Sequence, residues 1–535
     1  MRRKSHQDRD QIQSSNLAEI HTKQNQIDNN SNNLDPSEKL IQNSALTEDA
    51  IPSDQSNSVF NSPNLLEVPS ERLTKSNDFV QFMCGPKQDI RVAYISTLID
   101  DDLLQRDILP YLDKEYKTID ELENVIPVQQ KVITKQAQEV DKLLLRGACL
   151  VQKLSEPFTY LVVPLMKIEH RSIGIPEVEY SVIGPKDSFI ESVEVNVGLL
   201  RKRLPISDLQ LKELYVGKLT NTKVAVLHIA GLANSRLVDT VVSRIQDIEY
   251  DHILDSSYIA QLIADNPNSI FPQVINTERP DRAVAALTEG KIVIVVDGAS
   301  QVLIAPTTGL EFISAFEDYF LNWIVASFFR IVRLCAVIFS IMATPAYVAI
   351  LTYHYQMIPM DLLATLVSSR ADIPFPPIVE ALILEFAIEL LREAGAKLPT
   401  KVGQTIGIVG GIVIGTASVE AGLTSNVLLI IVAVGALASF TTPIYIMGNT
   451  IRVLRFPFLI FAQLWGLLGI MISLGFLLAH LLQLRSMGNP YLEPIAPFRF
   501  KDFKDAIIRL PFTVQKRRPI ETVPRAKNRI ESNKS

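Results

Sequence analysis

The sequence predicts a multi-domain chain: a soluble α/β (or α+β) N-terminal region followed by an α-helical polytopic membrane bundle. Two observations carry that expectation. Residues 402–451 hold a single charged side chain, Glu420, and residues 334–360 and 456–484 hold no Asp, Glu, Lys or Arg, whereas a membrane-spanning helix needs about 20 apolar residues. Before residue 319, by contrast, short β-branched and aromatic runs alternate with an amphipathic pattern, as in packed layers of strands and helices.

Taken in order, residues 1–75 are rich in Asn, Gln, Ser and Asp, with isolated apolar residues, and are expected to be a disordered tail. No apolar segment opens the chain, so membrane insertion is expected to be directed by later helices. Residues 76–318 form the soluble region, with room for two subdomains. Segments 91–99 (RVAYISTLI), 158–163 (FTYLVV), 224–229 (VAVLHI) and 291–296 (KIVIVV) read as buried strands. Leu237, Val238, Val241, Val242, Ile245 and Ile248 mark an amphipathic helix over 235–248. The run Arg201-Lys202-Arg203 ends another helix, where cations suit the negative end of its dipole.

Residues 319–485 form the membrane domain, with at least four spans near 334–351, 402–419, 427–447 and 457–482. Four spans leave both ends on one side, and Arg330, Arg333 and the basic tail 486–535 favour the cytoplasm. Arg452 and Arg455 would then lie on the far side. A further helix, 378–393, carries Glu385, Glu389, Arg392 and Glu393 within one arc at about 100° per residue, with Glu380 nearly opposite. Acids facing lipid are costly, so this stripe is expected at a polar face or a subunit contact.

In the second of these spans Gly403, Gly407, Gly411 and Gly415 recur at every fourth position, beside Gln404 and Thr405. Such a stripe permits close helix packing or a narrow conduit faced by backbone. In the second case Ile408 and Ile412 supply an apolar constriction that closes by dewetting.

Several functions are excluded. The three cysteines, Cys84, Cys149 and Cys335, are too scattered for a disulfide framework or a zinc site, and Cys335 is expected to be a packing residue. The seven histidines are dispersed, and no H-E-x-x-H, Walker A or G-x-S-x-G pattern occurs. No enzyme activity, metal or cofactor is therefore expected. A net charge of -6 gives no reason to expect nucleic acid as a partner.

Ordered landmarks over residues 78–513 resemble a known family. They are Gly184-Pro185 through Phe189, Glu191 and Ser192 to Arg201 and Arg203; Phe271-Pro272-Gln273; Thr277 through Arg282; Val296-Asp297-Gly298; Glu317-Asp318-Tyr319; Met357 to Pro359; Pro374 to Pro376; Leu391 to Gly395; Leu398-Pro399; Val402-Gly403-Gln404; and Leu454-Arg455-Phe456-Pro457. On these the sequence is similar to the A subunits of spore germinant receptors, the GerA family; Glu420 departs from the uncharged residue usual there. The resemblance implies a multi-pass protein of the bacterial spore inner membrane, with its soluble region on the core side. Its partners would be a second integral membrane subunit, a lipoprotein and further copies of itself. It implies a response to small nutrients, direct or through the complex, that triggers release of ions and dipicolinate, with the A subunit forming an oligomeric ligand-gated ion channel. A paralogue associated with the dipicolinate channel is the alternative within the family. A carrier binding substrate at broken helices is the alternative outside it, and the absence of an inverted repeat counts against that reading.

Overall fold

The computed structural model describes residues 69, 71–128, 131–166, 176, 179, 181–397, 410–411, 415–499, 503–515 and 518. The tail expected over 1–75 lies almost wholly outside these residues.

Strands β1 (Phe79–Cys84), β2 (Ile90–Ile95), β3 (Val132–Thr134), β4 (Ala148–Lys153) and β5 (Tyr160–Pro164) pair antiparallel in the order β1-β2-β4-β5-β3. Alternation along each strand makes two cores. On β2, Ile90 and Val92 face Leu104 of helix α1 (Asp101–Asp107) and Leu122 of α2 (Ile119–Val125). Ala93 and Ile95 face the opposite way, toward Leu144 of α3 (Ala137–Leu144).

A second antiparallel sheet follows, ordered β6-β7-β9-β10-β8, from β6 (Leu209–Val216), β7 (Thr222–Ile229), β8 (Ile275–Thr277), β9 (Ile292–Val296) and β10 (Val302–Ala305). On β9, Val293 and Val295 point to a core shared with α4 (Val193–Arg203) and α6 (Pro280–Thr288). Ile292, Ile294 and Val296 point to the other core, shared with α5 (Ser235–Gln246). Both faces are covered, so these strands read as unbroken apolar runs. The four strand segments and the 235–248 helix expected from the sequence fall on β2, β5, β7, β9 and α5. Every described strand pair is antiparallel, which decides for α+β.

The two sheet units are joined by a buried ion pair. Asp78 accepts from Nε and Nη2 of Arg201 at 2.5 and 2.6 Å, with Ser76 at 2.6 Å and Thr97 at 3.0 Å completing its shell. Arg201 is thus a joint between domains rather than a partner of its own helix dipole. Its register was the signal: Val193, Val197, Leu200 and Arg201 share the buried face of α4.

Among the described residues the bundle includes the helices α7 (Trp323–Tyr353), α8 (Met360–Arg370), α9 (Pro377–Lys397), α10 (Asn426–Ser439), α11 (Tyr445–Trp465) and α12 (Leu467–Gln483). Among the described residues α7 alone is both long and apolar enough to cross a membrane; α10 and α12 are apolar but shorter. The expected segment 334–351 lies within α7, which runs through Pro345. The structure corrects the later segments. The run 427–447 stops at α10, because Pro443 lacks an N–H and disfavours helical backbone before it. The run 457–482 is broken by Gly466, whose φ of 61° and ψ of -138° no helix continues. Cys335 is exposed rather than packed.

Nor does the core end at residue 318. One continuous cluster joins Leu227, Val293 and Phe312 of the second sheet unit to Val337, Ile451 and Phe458 of the bundle. Its last member is Tyr491, delivered by the chain returning from α12.

Candidate conduit and coupling site

Gly403, Gln404, Gly407, Ile408 and Ile412 lie outside the described residues. Among the described residues, apart from its own helix and chain neighbours, nothing lies within 4 Å of where a Cβ on Gly411 would stand. A Cβ on Gly410 would meet Leu391 of α9 at 2.7 Å, and one on Gly415 would rest 3.6 Å from Leu429 of α10. Of the described stripe glycines Gly415 alone therefore comes close to another helix, α10, while Gly410, beside the stripe, comes close to α9.

The acid stripe of α9 does not act as one face. Glu385 turns inward and is 4% exposed, 2.5 Å from Arg455 of α11. Thr344 of α7 donates to its other oxygen at 2.8 Å. Arg455 donates in turn to Ser340 Oγ of α7 at 2.9 Å and to the Gly435 carbonyl of α10 at 3.4 Å. Four helices thus meet at one ion pair. Glu389 is partly exposed and serves Arg392 at 2.9 Å and Arg452 at 3.4 Å. Glu393 is exposed and pairs with Lys397 at 2.7 Å. Glu380, on the opposite side, is fully buried between Arg370 at 2.7 Å and the Ser425 amide at 3.2 Å.

The arginines that answer these acids were missed from sequence. A signal was available: Glu385 and Glu389 are four apart, Arg452 and Arg455 three apart, so each pair occupies one helical face and the faces can zip together. Arg452 also lies at the soluble-domain end of the bundle, not the far one, because Thr450 beside it donates to the Ile270 carbonyl at 2.7 Å.

That Thr450 bond belongs to a larger grip. The loop 269–273 of the second sheet unit inserts between α11, α12 and the returning chain. Ser269 Oγ lies 2.9 Å from His480 Nε2. The Phe271 ring packs against His480 and Tyr491, with centroids 5.9 and 6.4 Å away. The Gln273 carbonyl accepts from Ser486 at 2.6 Å and Thr307 at 3.0 Å. At the start of α7, buried Asp318 holds Arg330 at 3.1 Å and Arg333. Tyr319 lies between the guanidinium groups of Arg330 and Arg509, 5.5 Å from each, and donates to Asp505 at 2.9 Å. Burial, with Asp505 beside it, holds the Tyr319 phenol well above its ordinary pKa, so it remains a donor. Among the described residues no group of three His, Cys, Asp or Glu side chains is placed to hold a metal.

The sequence model of the family described as Bacillus/Clostridium GerA spore germination protein matches residues 68–521. The chain belongs to the GerA family of spore germination proteins. It is 50% identical over 475 residues to spore germination protein GerQA of Bacillus cereus, covering 88% of this chain and 95% of that protein. It is 46% identical over 457 residues to GerIA of Bacillus cereus, with 85% and 68% covered. Spore germination protein KA of Bacillus subtilis is 35% identical over 466 residues, with 85% of each covered. Among solved structures, the N-terminal domain of the A subunit of the Bacillus megaterium spore germinant receptor GerK3 is similar at 29% identity. That match covers 44% of this chain and 91% of that one, with a TM-score of 0.34.

Several landmarks that carried the family resemblance meet in space. The Phe189 amide donates to the Glu278 carbonyl at 2.8 Å, and the Gly298 amide to the Glu191 carbonyl at 2.8 Å. Phe271-Pro272-Gln273 forms the middle of the grip just described.

Proposed function

We infer that this chain is the membrane subunit of a nutrient germinant receptor that triggers spore germination as an oligomeric ligand-gated ion channel. It acts in the spore inner membrane with further copies of itself, a second integral membrane subunit and a lipoprotein, and senses a small nutrient directly or through that complex. The observation that carries the reading is the grip of loop 269–273 on α11 and α12. A displacement of the second sheet unit would be delivered straight to the bundle helices, as a gated conduit requires and a passive anchor does not. The conduit of this proposal runs along the stripe Gly403, Gln404, Gly407, Gly411 and Gly415, with Ile408 and Ile412 as its constriction. Glu385, Glu389, Arg392 and Glu393 then brace or flank it.

Planar-bilayer recording of the reconstituted receptor complex tests this. Discrete conductance steps that appear with nutrient support the channel. Saturable slow flux without steps would indicate a carrier and overturn it. Ile408→Ala is expected to open without nutrient, and Gly411→Leu to reach the membrane yet stay silent.

A further inference from the structure

The cluster on the outer half of the acid stripe is unbalanced. Arg392 of α9 and Arg452 of α11 share one carboxylate, Glu389, at 2.9 and 3.4 Å. Both also donate to the same neutral acceptor, Asn449 Oδ1. Two guanidinium groups are therefore drawn together with one negative charge between them. The nearby carbonyl end of α10 carries about half a negative charge and balances the excess only in part. The Arg452 side chain is 8% exposed, and its buried Nε, the atom 3.4 Å from Glu389, makes no hydrogen bond among the described residues. Glu389, the shared partner, is 42% exposed and can swing away into solvent. Around the cluster stand exposed aromatic rings: Phe440, with Arg392 stacked 5.6 Å from its centroid, and Tyr445. Thr450, next to Asn449 in the chain, fixes this end of the bundle to the soluble domain.

We propose that Arg392, Arg452 and Asn449 form a binding site for a phosphate group, with Glu389 as a resident stand-in for the anion. Paired guanidinium forks match phosphate oxygens, and a third neutral donor is available if the Asn449 amide turns over. Exposed aromatic rings beside basic groups at a bundle end also suit the headgroup level of a bilayer, where anionic lipids are held by such clusters. The same phosphate chemistry can come from a lipid headgroup or from the free ion. The site rests on the membrane reading given above.

The test uses the full chain in phosphatidylcholine nanodiscs, with or without phosphatidylglycerol, and counts retained phosphatidylglycerol by native mass spectrometry. Arg392→Gln and Arg452→Gln are each expected to lower retention about fivefold. Glu389→Gln keeps both arginines and removes the competing charge, so it should raise retention. Arg236→Gln, at an exposed position of α5, should leave it unchanged. Excess inorganic phosphate identifies the source. Displacement of lipid, or binding of phosphate alone with the same arginine dependence, assigns the free ion; lipid retention indifferent to phosphate assigns the headgroup. Unchanged retention in the arginine variants, or a fall in Glu389→Gln, overturns the site. A chain that fails to enter nanodiscs at all would overturn the membrane reading and the site with it.

Discussion

Glu385 of α9 and Arg455 of α11 meet at 2.5 Å, and their remaining bonds reach α7 and α10. Breaking a buried pair by removing one partner leaves a charge without compensation, at a cost of about 3–5 kcal/mol. Glu385→Ala and Arg455→Ala should each lower the stability of the purified full chain by that order. The double change Glu385→Leu, Arg455→Leu should cost clearly less than the sum of the two. Unfolding midpoints in detergent, taken as a double-mutant cycle, check this.

Gly466 holds a backbone conformation closed to other residues, and a Cβ there would stand 2.8 Å from His354 Cε1. Gly466→Ala is expected to destabilise by about 1–3 kcal/mol. Adding His354→Ala should recover part of the loss, since it removes the closest contact but leaves Tyr353 Cβ at 3.1 Å and the backbone strain. Thermal midpoints of the wild type, Gly466→Ala and the double variant separate the two contributions.

Acid should weaken the second sheet unit through His228. Burial, reinforced by Lys212, pushes this imidazole from 6.5 down to about 4. The unfolded chain therefore binds the proton more readily than the folded one. Stability is complete above about pH 6.5, falls as pH drops toward 4, and levels off below. Between pH 7 and pH 5 the loss is about 2 kcal/mol. Urea unfolding of wild type and His228→Gln at both pH values should show that part of the loss disappear in the variant.

Thr450→Val deletes the bond to the Ile270 carbonyl while keeping the shape of the side chain. A bond of this kind contributes about 1 kcal/mol. The variant should reach the membrane at normal abundance, yet need about fivefold more nutrient for half-maximal germination. Spore optical-density loss against nutrient concentration measures it, and an unshifted curve would count against the coupling role.

A fragment covering residues 71–318 lacks Met487 and Tyr491, which fill the two cores of the second sheet unit. It should fold less stably than the same fragment given residues 485–499 as a separate peptide. Circular dichroism melting with and without the peptide decides the point.

How far the sequence could be read follows from the range of each interaction. β7 and β9 are plain because burial on both faces leaves continuous apolar runs, and α5 because its apolar side repeats within a dozen residues. Arg201 was misread because its partner, Asp78, lies 123 positions away. The acids of α9 stand out in the sequence, but their partners Arg452 and Arg455 read there only as markers of topology. A helical projection shows which side chains share a side and is silent about the helix that side will face. The break at Gly466 was hidden for another reason: a glycine between two apolar runs reads as part of either.

The return of the chain from α12 has a consequence for manufacture. Ser486, Met487 and Tyr491 complete the second sheet unit, and Arg509 caps the carbonyls of Asp318 and Leu321 just before α7. Each leaves the ribosome after every helix of the bundle has been made. The second sheet unit therefore does not complete its two cores until the hydrophobic segments have been threaded and the chain brought back to it. A chain arrested part-way presents an open pocket lined by Phe271 and Phe312, the kind of surface that proteases and chaperones recognise. The fold thus carries its own proof of completion, and only finished subunits bury that mark.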